Sequence, residues 1–588
     1  MKRTHIAERV GRALFVAASA CSVLAVVSIF SFLILRGLPA LRSIGLWNFV
    51  FGREWSPDRA DVYGAPLLGS YGILPMIVGT AAATLGALLF GGVGGFFTAV
   101  FLVFFCPLRY RAKFATVIYL LAGIPSVVYG FFGITILLPL LARFAPNNGG
   151  GLLAVSLILG LMILPTVVSL SRTALEAVPE AYRSASVALG ATETETVFRV
   201  SVPAARSGIA AALVLGVGRA LGETMAVVMV AGNAPIFPEG LFRSFRVLTA
   251  NIVMEMGYAG EVQEGALVAT GVILLCFVLL VNLAFGLLLR RDRPIFSRKS
   301  AKKARFDLHA LQFWAPLPSL LRALSILFGL LTGAALILIL GFLLVRGLPP
   351  LLSDRYLTLG RFELGSGRVT LLPSIVSTLM ALVLSVSIAV PIGVMTAILL
   401  NEYVRPAHPL VRLLRLSIDV LGGVPSIVYG LFGMIAFLPL LGGSASILAG
   451  SLTVSMMLLP TVIRATEESL SAVDDSLRAG SLALGAGKLR TVLRIVIPSA
   501  SSGILSAVIL SMGRVMGESA PFLYTMGSVI TALPRSYLDS GATLAVALYQ
   551  LSGEGWYLSE GYAAAALLIL LILPINLLSM RLLRATSK

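Results

Sequence analysis

Charge is scarce in this chain of 588 residues: Asp, Glu, Lys and Arg together make up 12%, against roughly 25% in soluble domains. Cysteine and histidine are rarer still, three of each. Cys21, Cys106 and Cys276 fall in or beside apolar runs, and His5, His309 and His408 are scattered. Neither a disulfide framework nor a zinc site is indicated, and no metal site is expected. An enzyme embedded in the membrane to act on lipid would need a nucleophile or a metal cluster there, and these residues supply none. The pattern G-x-x-x-x-G-K-[ST], which cradles nucleotide phosphates, is absent, and GSGRVT (365–370) lacks both its lysine and its spacing. The chain binds no cofactor by that route. Any ATP-driven work requires a separate partner. Strict apolar and polar alternation, the mark of a transmembrane barrel strand, is missing as well.

What the chain has is apolar sequence: 58% of residues are hydrophobic, in recurrent stretches of about twenty or more. Helices of that length cross the roughly 30 Å hydrocarbon layer, because each residue rises about 1.5 Å. An all-α integral membrane protein follows. The first apolar run, after the basic MKRTHIAERVGR, is too long for a signal-peptide core and no small-residue cleavage site closes it, so it reads as a retained span. The net charge of +18 sits in short segments beside the spans: residues 1–12, 109–113, 290–305, 405–415 and the C-terminal RLLRATSK. That placement orients a protein with basic loops on the cytoplasmic side and fits contact with anionic lipid. Nucleic acid is not indicated.

The chain repeats itself in parallel. GIPSVVYGFFGI (123–134) matches GVPSIVYGLFGM (423–434), LPTVV (164–168) matches LPTVI (459–463), and ALGA recurs at 188–191 and 483–486. The offset falls from 300 at Pro125 and Pro425 to 295 at Arg219 and Arg514, so five residues are lost between the blocks, in a loop. Six spans are expected in each half, about twelve in all. They lie near 13–36, 71–104, 114–142, 151–172, 206–234 and 263–289, then 318–345, 371–400, 414–441, 444–464, 502–529 and 559–580. The first half is 1–289 with a core of 71–289, the second 318–588 with a core of 371–580, and 290–317 is a basic linker. Both termini and the linker then face the cytoplasm. The outward segment 530–558 fits this, with one basic residue, whereas 346–370 holds several arginines and fits it poorly. Pro125 and Pro425 are expected to kink the third spans, for gating or for packing. The glycines of FGGVGGFF (90–97) are expected to allow close helix contact.

Between the fourth and fifth spans, 173–205 and 466–501 are too polar to cross a membrane. Apolar residues recur there at helical spacing around a glycine, which reads as two short amphipathic helices and a turn. Val178-Pro179-Glu180 suits a helix start. These segments resemble the cytoplasmic EAA loop of ABC importer permeases. Its pattern is met at Ser184, Ala185, Ser186, Gly190 and Pro203, then at Ala479, Gly480, Ser481, Gly485 and Pro498. The family's first glutamate is absent from both copies. The resemblance implies a type I ABC importer permease fold, and a docking role toward ATPase subunits for Ala185, Gly190, Pro203, Gly480, Gly485 and Pro498.

GRALGETMAVV (218–228) and GRVMGESAPFL (513–523) each set an arginine and a glutamate four residues apart in an apolar run. An arginine at a helix centre costs about 2.5–3.5 kcal/mol on insertion scales, so such residues usually face a bundle interior or a watery cavity. On a continuous helix Arg219 and Glu223, and Arg514 and Glu518, pair on one face. Two readings stand: an ion pair that locks the bundle, or a site. Duplication favours a site, because parallel repeats surround an axis along the membrane normal. Guanidinium forks match tetrahedral oxyanions, and a carboxylate accepts from the hydroxyl of hydrogen phosphate but repels sulfate. These motifs also resemble the fifth spans of PstC-type and PstA-type phosphate permease subunits, a likeness that covers nearly the whole chain and implies a natural fusion of the two. It implies a bacterial inner-membrane phosphate importer with two ATPase copies using ATP on the cytoplasmic side and a phosphate-binding protein outside. The rival readings are a twelve-span ion-coupled carrier and a permease for another oxyanion such as sulfate.

Overall fold

In the computed structural model of the chain the described residues are 2–57, 59–60, 66–67, 69–145, 148–290, 316–353, 357, 369–404, 409–553 and 557–586. The linker expected over 290–317 lies outside them except at its ends, as does most of the outward segment 346–370.

Nine described helices are long and apolar enough to cross a bilayer, and two bent pairs bring the number to eleven. Leu108–Ala122 followed by Ser126–Leu141 corresponds to the bent pair Leu414–Gly423 and Ser426–Leu440, which completes six per half. The first spans, Glu8–Ile44 and Leu317–Ser353, run well beyond the expected 13–36 and 318–345. Each packs on the sixth span of its own half and crosses to the second span of the other half. At these crossings Ser22 shares a hydrogen bond with Thr396 at 3.2 Å, and Thr98 with Thr332 at 2.9 Å. Such bonds average about 0.6 kcal/mol inside a membrane, so packing carries more of the contact. Phe97 stacks on Phe328 with centroids 5.6 Å apart, and Phe101 and Phe114 fill the space left by Gly329 and Gly333.

The segments between the fifth and sixth spans, expected to face outward, are not simple loops. Each folds a short helix back into the core, Leu248–Glu255 and Leu544–Gly553, and Leu248 and Leu544 are fully buried. They are too short to show as spans, and Thr80 and Thr378 cap them, accepting from the N–H of Leu248 at 3.0 Å and of Leu544 at 2.9 Å. In the first half a buried ion pair, Arg246 with Glu255, anchors this helix. Trp55 and Gln263 donate to the same carboxylate at 2.8 and 2.7 Å.

The glycine-rich stretch of the second span meets the fourth. A Cβ at Gly91 would collide with the Gly160 backbone, and one at Gly95 would stand 2.9 Å from Val167. Overpacking of this kind costs about 1–3 kcal/mol. Gly91→Val is therefore expected to lower the thermal midpoint of the purified protein by several degrees; an unchanged midpoint would show that the two helices can part at no cost.

Candidate functional site

The fifth spans do not run through the membrane as single helices. The first ends at Gly222 and the second at Gly517, and the next residue in each is extended: Glu223 at φ −73°, ψ 137° and Glu518 at φ −79°, ψ 138°. Short helices, Met225–Val230 and Ala520–Thr525, resume the path. The expected helical i,i+4 geometry is thus corrected: each glutamate lies at a break, where glycine, the poorest helix former after proline, ends the ladder. The arginines remain in the last turn. Arg514 Nε still reaches Glu518 Oε1 at 3.6 Å. Arg219 instead donates to Thr166 Oγ1 at 3.1 Å, while Glu223 lies beside Ser126.

The third spans are broken as well. Pro125 and Pro425 were expected to kink a helix, but each is an extended N-cap, at φ −58°, ψ 145° and φ −59°, ψ 144°, between two separate helices. In the second half the two pieces meet at 104°. Proline lacks an N–H and forces the preceding residue out of the helical region, so Gly-X-Pro ends one helix and starts another.

The breaks meet across the halves. A Cβ at Gly222 would lie 3.5 Å from Cα of Pro425, and one at Gly517 would lie 3.6 Å from Cα of Pro125. Around them is a cavity of about 1340 Å³ whose wall includes Arg219, Glu223, Arg514 and Glu518 together, with Ser126, Ser426 and Ser519. It extends to Arg172, Glu176 and Arg464 on the fourth spans and to Asp419 on the first piece of a third span, the last three of these solvent-exposed and Arg172 half-buried. A layer of buried residues, Met225 and Ala520 among them, completes the lining. Beyond this layer Tyr524 Oη donates to the carbonyls of Ile252 and Val253 at 3.1 and 3.0 Å, which ties the second half to the first. The lining thus runs from exposed charged residues to buried apolar ones.

Four arginines and four carboxylates line this space, so no bulk positive field draws an anion in; attraction is local. Arg172 is paired with Glu176 at 2.8 Å and Arg464 with Asp419. That leaves Arg219 and Arg514 with the looser partners. Their Thr anchors were missed in the sequence. Thr166 and Thr461 follow the repeated prolines of LPTVV and LPTVI, and Arg514 donates to Thr461 at 2.9 Å as Arg219 does to Thr166. A hydroxyl repeated at the same place after an intramembrane proline was the available signal.

The polar segments form two matching knobs. Glu180–Ala188 and Asp475–Ala483 are helices, and Gly190 and Gly485 follow at φ +88° and +83°, a conformation that favours glycine. Ser186 with Thr196 at 2.9 Å and Ser481 with Thr491 at 2.8 Å staple each knob to its next helix. A capping box at Thr192 holds the Glu195 carboxyl below the usual carboxylate range through the Thr192 N–H and hydroxyl. Ala185, Gly190, Gly480, Gly485 and Pro498 are exposed and Pro203 is half-buried. The residue before each glycine stands out in water: Leu189, one of the apolar residues at helical spacing, is 89% exposed and Leu484 90%. The two leucines stand at matching places in the repeat. The second knob is fixed by Arg478, which pairs with Glu402 at 2.9 Å.

Twofold-repeated broken helices around a shared cavity, with a polar knob in each half, define a transport permease. The chain belongs to the family of binding-protein-dependent transport system inner membrane components, whose pattern matches residues 91–293 and 389–588. Among its relatives, the phosphate transport system permease protein PstA homolog of Mycoplasma pneumoniae is 28% identical over 90% of this chain and 87% of its own length. The corresponding protein of Mycoplasma genitalium is 30% identical over 81% and 80%. The phosphate transport system permease protein PstC of Pasteurella multocida is 32% identical over 46% of this chain and 91% of its own length. The chain is therefore a multi-pass membrane permease of the ABC importer class, a non-enzymatic channel component.

Thr166→Val and Thr461→Val remove the hydroxyls that hold the arginines while keeping shape. If the tethers aim the guanidinium forks, transport should fall several-fold in each with unchanged protein level in the membrane; unaltered transport would mean that the arginines are positioned without them.

Proposed function

We propose that this chain is the membrane pore of an ATP-driven phosphate importer of the bacterial inner membrane, combining PstC-type and PstA-type halves, 1–289 and 318–588, in one polypeptide. The observation that carries the reading is the single cavity walled by both Arg-Glu pairs, one from each half. Arg219 and Arg514 supply donors for a tetrahedral oxyanion. Glu223 and Glu518 accept from the hydroxyl of hydrogen phosphate, and an anion without a proton meets unrelieved repulsion instead. Charge type thus supports phosphate over sulfate. The relatives carry the same substrate in their names.

ATP is hydrolysed by two copies of an ATPase subunit that grip the knobs through Leu189, Leu484 and the residues around Gly190 and Gly485. A phosphate-binding protein delivers its load on the outer side. Both termini and the linker lie in the cytoplasm, so the observed cavity faces inward. ATP-driven closure of the ATPases draws the knobs together, and the breaks at Pro125 and Pro425 let the third spans pivot as the fifth spans move. Broken helices provide such pivots because few backbone bonds need to change.

Arg219→Ala and Arg514→Ala should each abolish ATP-dependent phosphate uptake into vesicles while the protein still inserts and holds its ATPase. Normal uptake by both would return the pairs to a packing role. Leu189→Asp combined with Leu484→Asp should prevent copurification with the ATPase. Uptake that survives ATP depletion but collapses with the proton gradient would establish an ion-coupled carrier instead.

A further inference from the structure

Asn282 and Asn576 occupy matching places in the two sixth spans, in VNL (281–283) and INL (575–577). Both line the central cavity. An amide at membrane depth is costly unless it finds a partner or faces a watery space. The surroundings of the two repeat with the halves exchanged. Asn282 turns its Oδ1 to Gly218 of its own half and its Nδ2 to Gly423 of the other, where an added Cβ would stand 3.6 and 3.7 Å away. Asn576 turns its Oδ1 to Gly513, 3.3 Å from an added Cβ, and its Nδ2 to Gly123, where an added Cβ would collide with it.

Each amide is therefore wedged between two moving parts. On one side is the residue just before the arginine of its own fifth span; on the other is the Gly-X-Pro break of the opposite half. A purely structural asparagine in a membrane bundle forms an interhelical hydrogen bond. Asn576 does not: its Nδ2 is buried and has no hydrogen-bond partner among the described residues. The amide is held in place by glycines and left with hydrogen-bonding capacity unspent.

We infer that Asn282 and Asn576 are neutral hydrogen-bonding arms of the oxyanion path, each presenting a donor and an acceptor beside Arg219 and Arg514. The inference rests on the reading of the cavity as that path. A guanidinium only donates and an ionised carboxylate only accepts, whereas an amide does both without adding charge. One side chain can thus bond a bare oxygen of the anion and, turned over, its hydroxyl. The pair serves an oxyanion that carries both kinds of oxygen, and serves it in more than one protonation state.

The test uses vesicles containing the full chain, its ATPase and saturating binding protein, with phosphate uptake and ATP hydrolysis measured side by side. Asn282→Asp and Asn576→Asp keep the shape and replace the donor by a carboxylate; Asn282→Leu and Asn576→Leu keep the bulk and remove both functions. Phosphate moved per ATP should fall by about tenfold or more in the Asp variants, as expected for loss of a hydrogen bond to a charged group. The Leu variants should fall in the same direction. Hydrolysis stimulated by the binding protein should stay close to wild type. Wild-type uptake in the Asp variants would overturn the inference. So would equal loss of uptake and hydrolysis, or failure of all four variants to assemble with the ATPase, each of which assigns the amides to packing. If the wild-type complex carries another oxyanion in preference, the phosphate reading fails, and the same comparison made with that anion still decides the role of the asparagines.

Discussion

The structure depends on two close contacts between broken helices: Gly222 against Pro425, and Gly517 against Pro125. Each is a contact between halves. A continuous fifth span would carry its glutamate on around the helix, and a continuous third span would fill the space now left for the cavity. Because both are interrupted at one level, four half-helices end around a common volume, and the groups at their ends face one another. Non-helical backbone at membrane depth is tolerated only where it is buried in protein or lines a cavity. These breaks do both.

That constraint explains where the charges sit. Arg219 and Arg514 remain on helix, anchored by threonines of the fourth spans, while Glu223 and Glu518 leave it. The two pairs are alike in sequence and unlike in contact: Glu518 stays within 3.6 Å of its arginine, whereas Arg219 bonds Thr166 and Glu223 lies beside Ser126. A similar asymmetry runs through the knobs, where ATETETVFR carries acidic residues and AGKLRTVLR basic ones. The overall frame is nonetheless a repeat, held by first spans that cross to the opposite half. In the second half one helix, Lys488–Gly517, runs from the knob to the arginine; in the first half the same path bends by 69° between Glu193–Ala204 and Arg206–Gly222.

Much of this was legible in the sequence. Two matched sets of six apolar runs give the spans, and the paired motifs give the arginines, because an intramembrane charge repeated at one offset has few explanations. The helix breaks were less legible. Gly-X-Pro in an apolar run suits a kink as well as a break, and only the packing of Gly222 and Gly517 on the opposite prolines settles which forms. The short helices at 248–255 and 544–553 escaped because eight to ten residues cannot span a bilayer and their burial depends on tertiary contacts. The threonine anchors, the exposed leucines and the asparagines of the sixth spans are single residues whose meaning arises from what they face. Periodicity does not report that.

The central claim is that substrate passes between the halves where these breaks meet, so the junctions must part in each cycle. The direct measurement is phosphate uptake by a Gly222→Cys, Pro425→Cys protein lacking Cys21, Cys106 and Cys276, before and after oxidation. The account predicts that the crosslinked protein takes up no phosphate and that reduction restores uptake. Full uptake with the crosslink in place would contradict it.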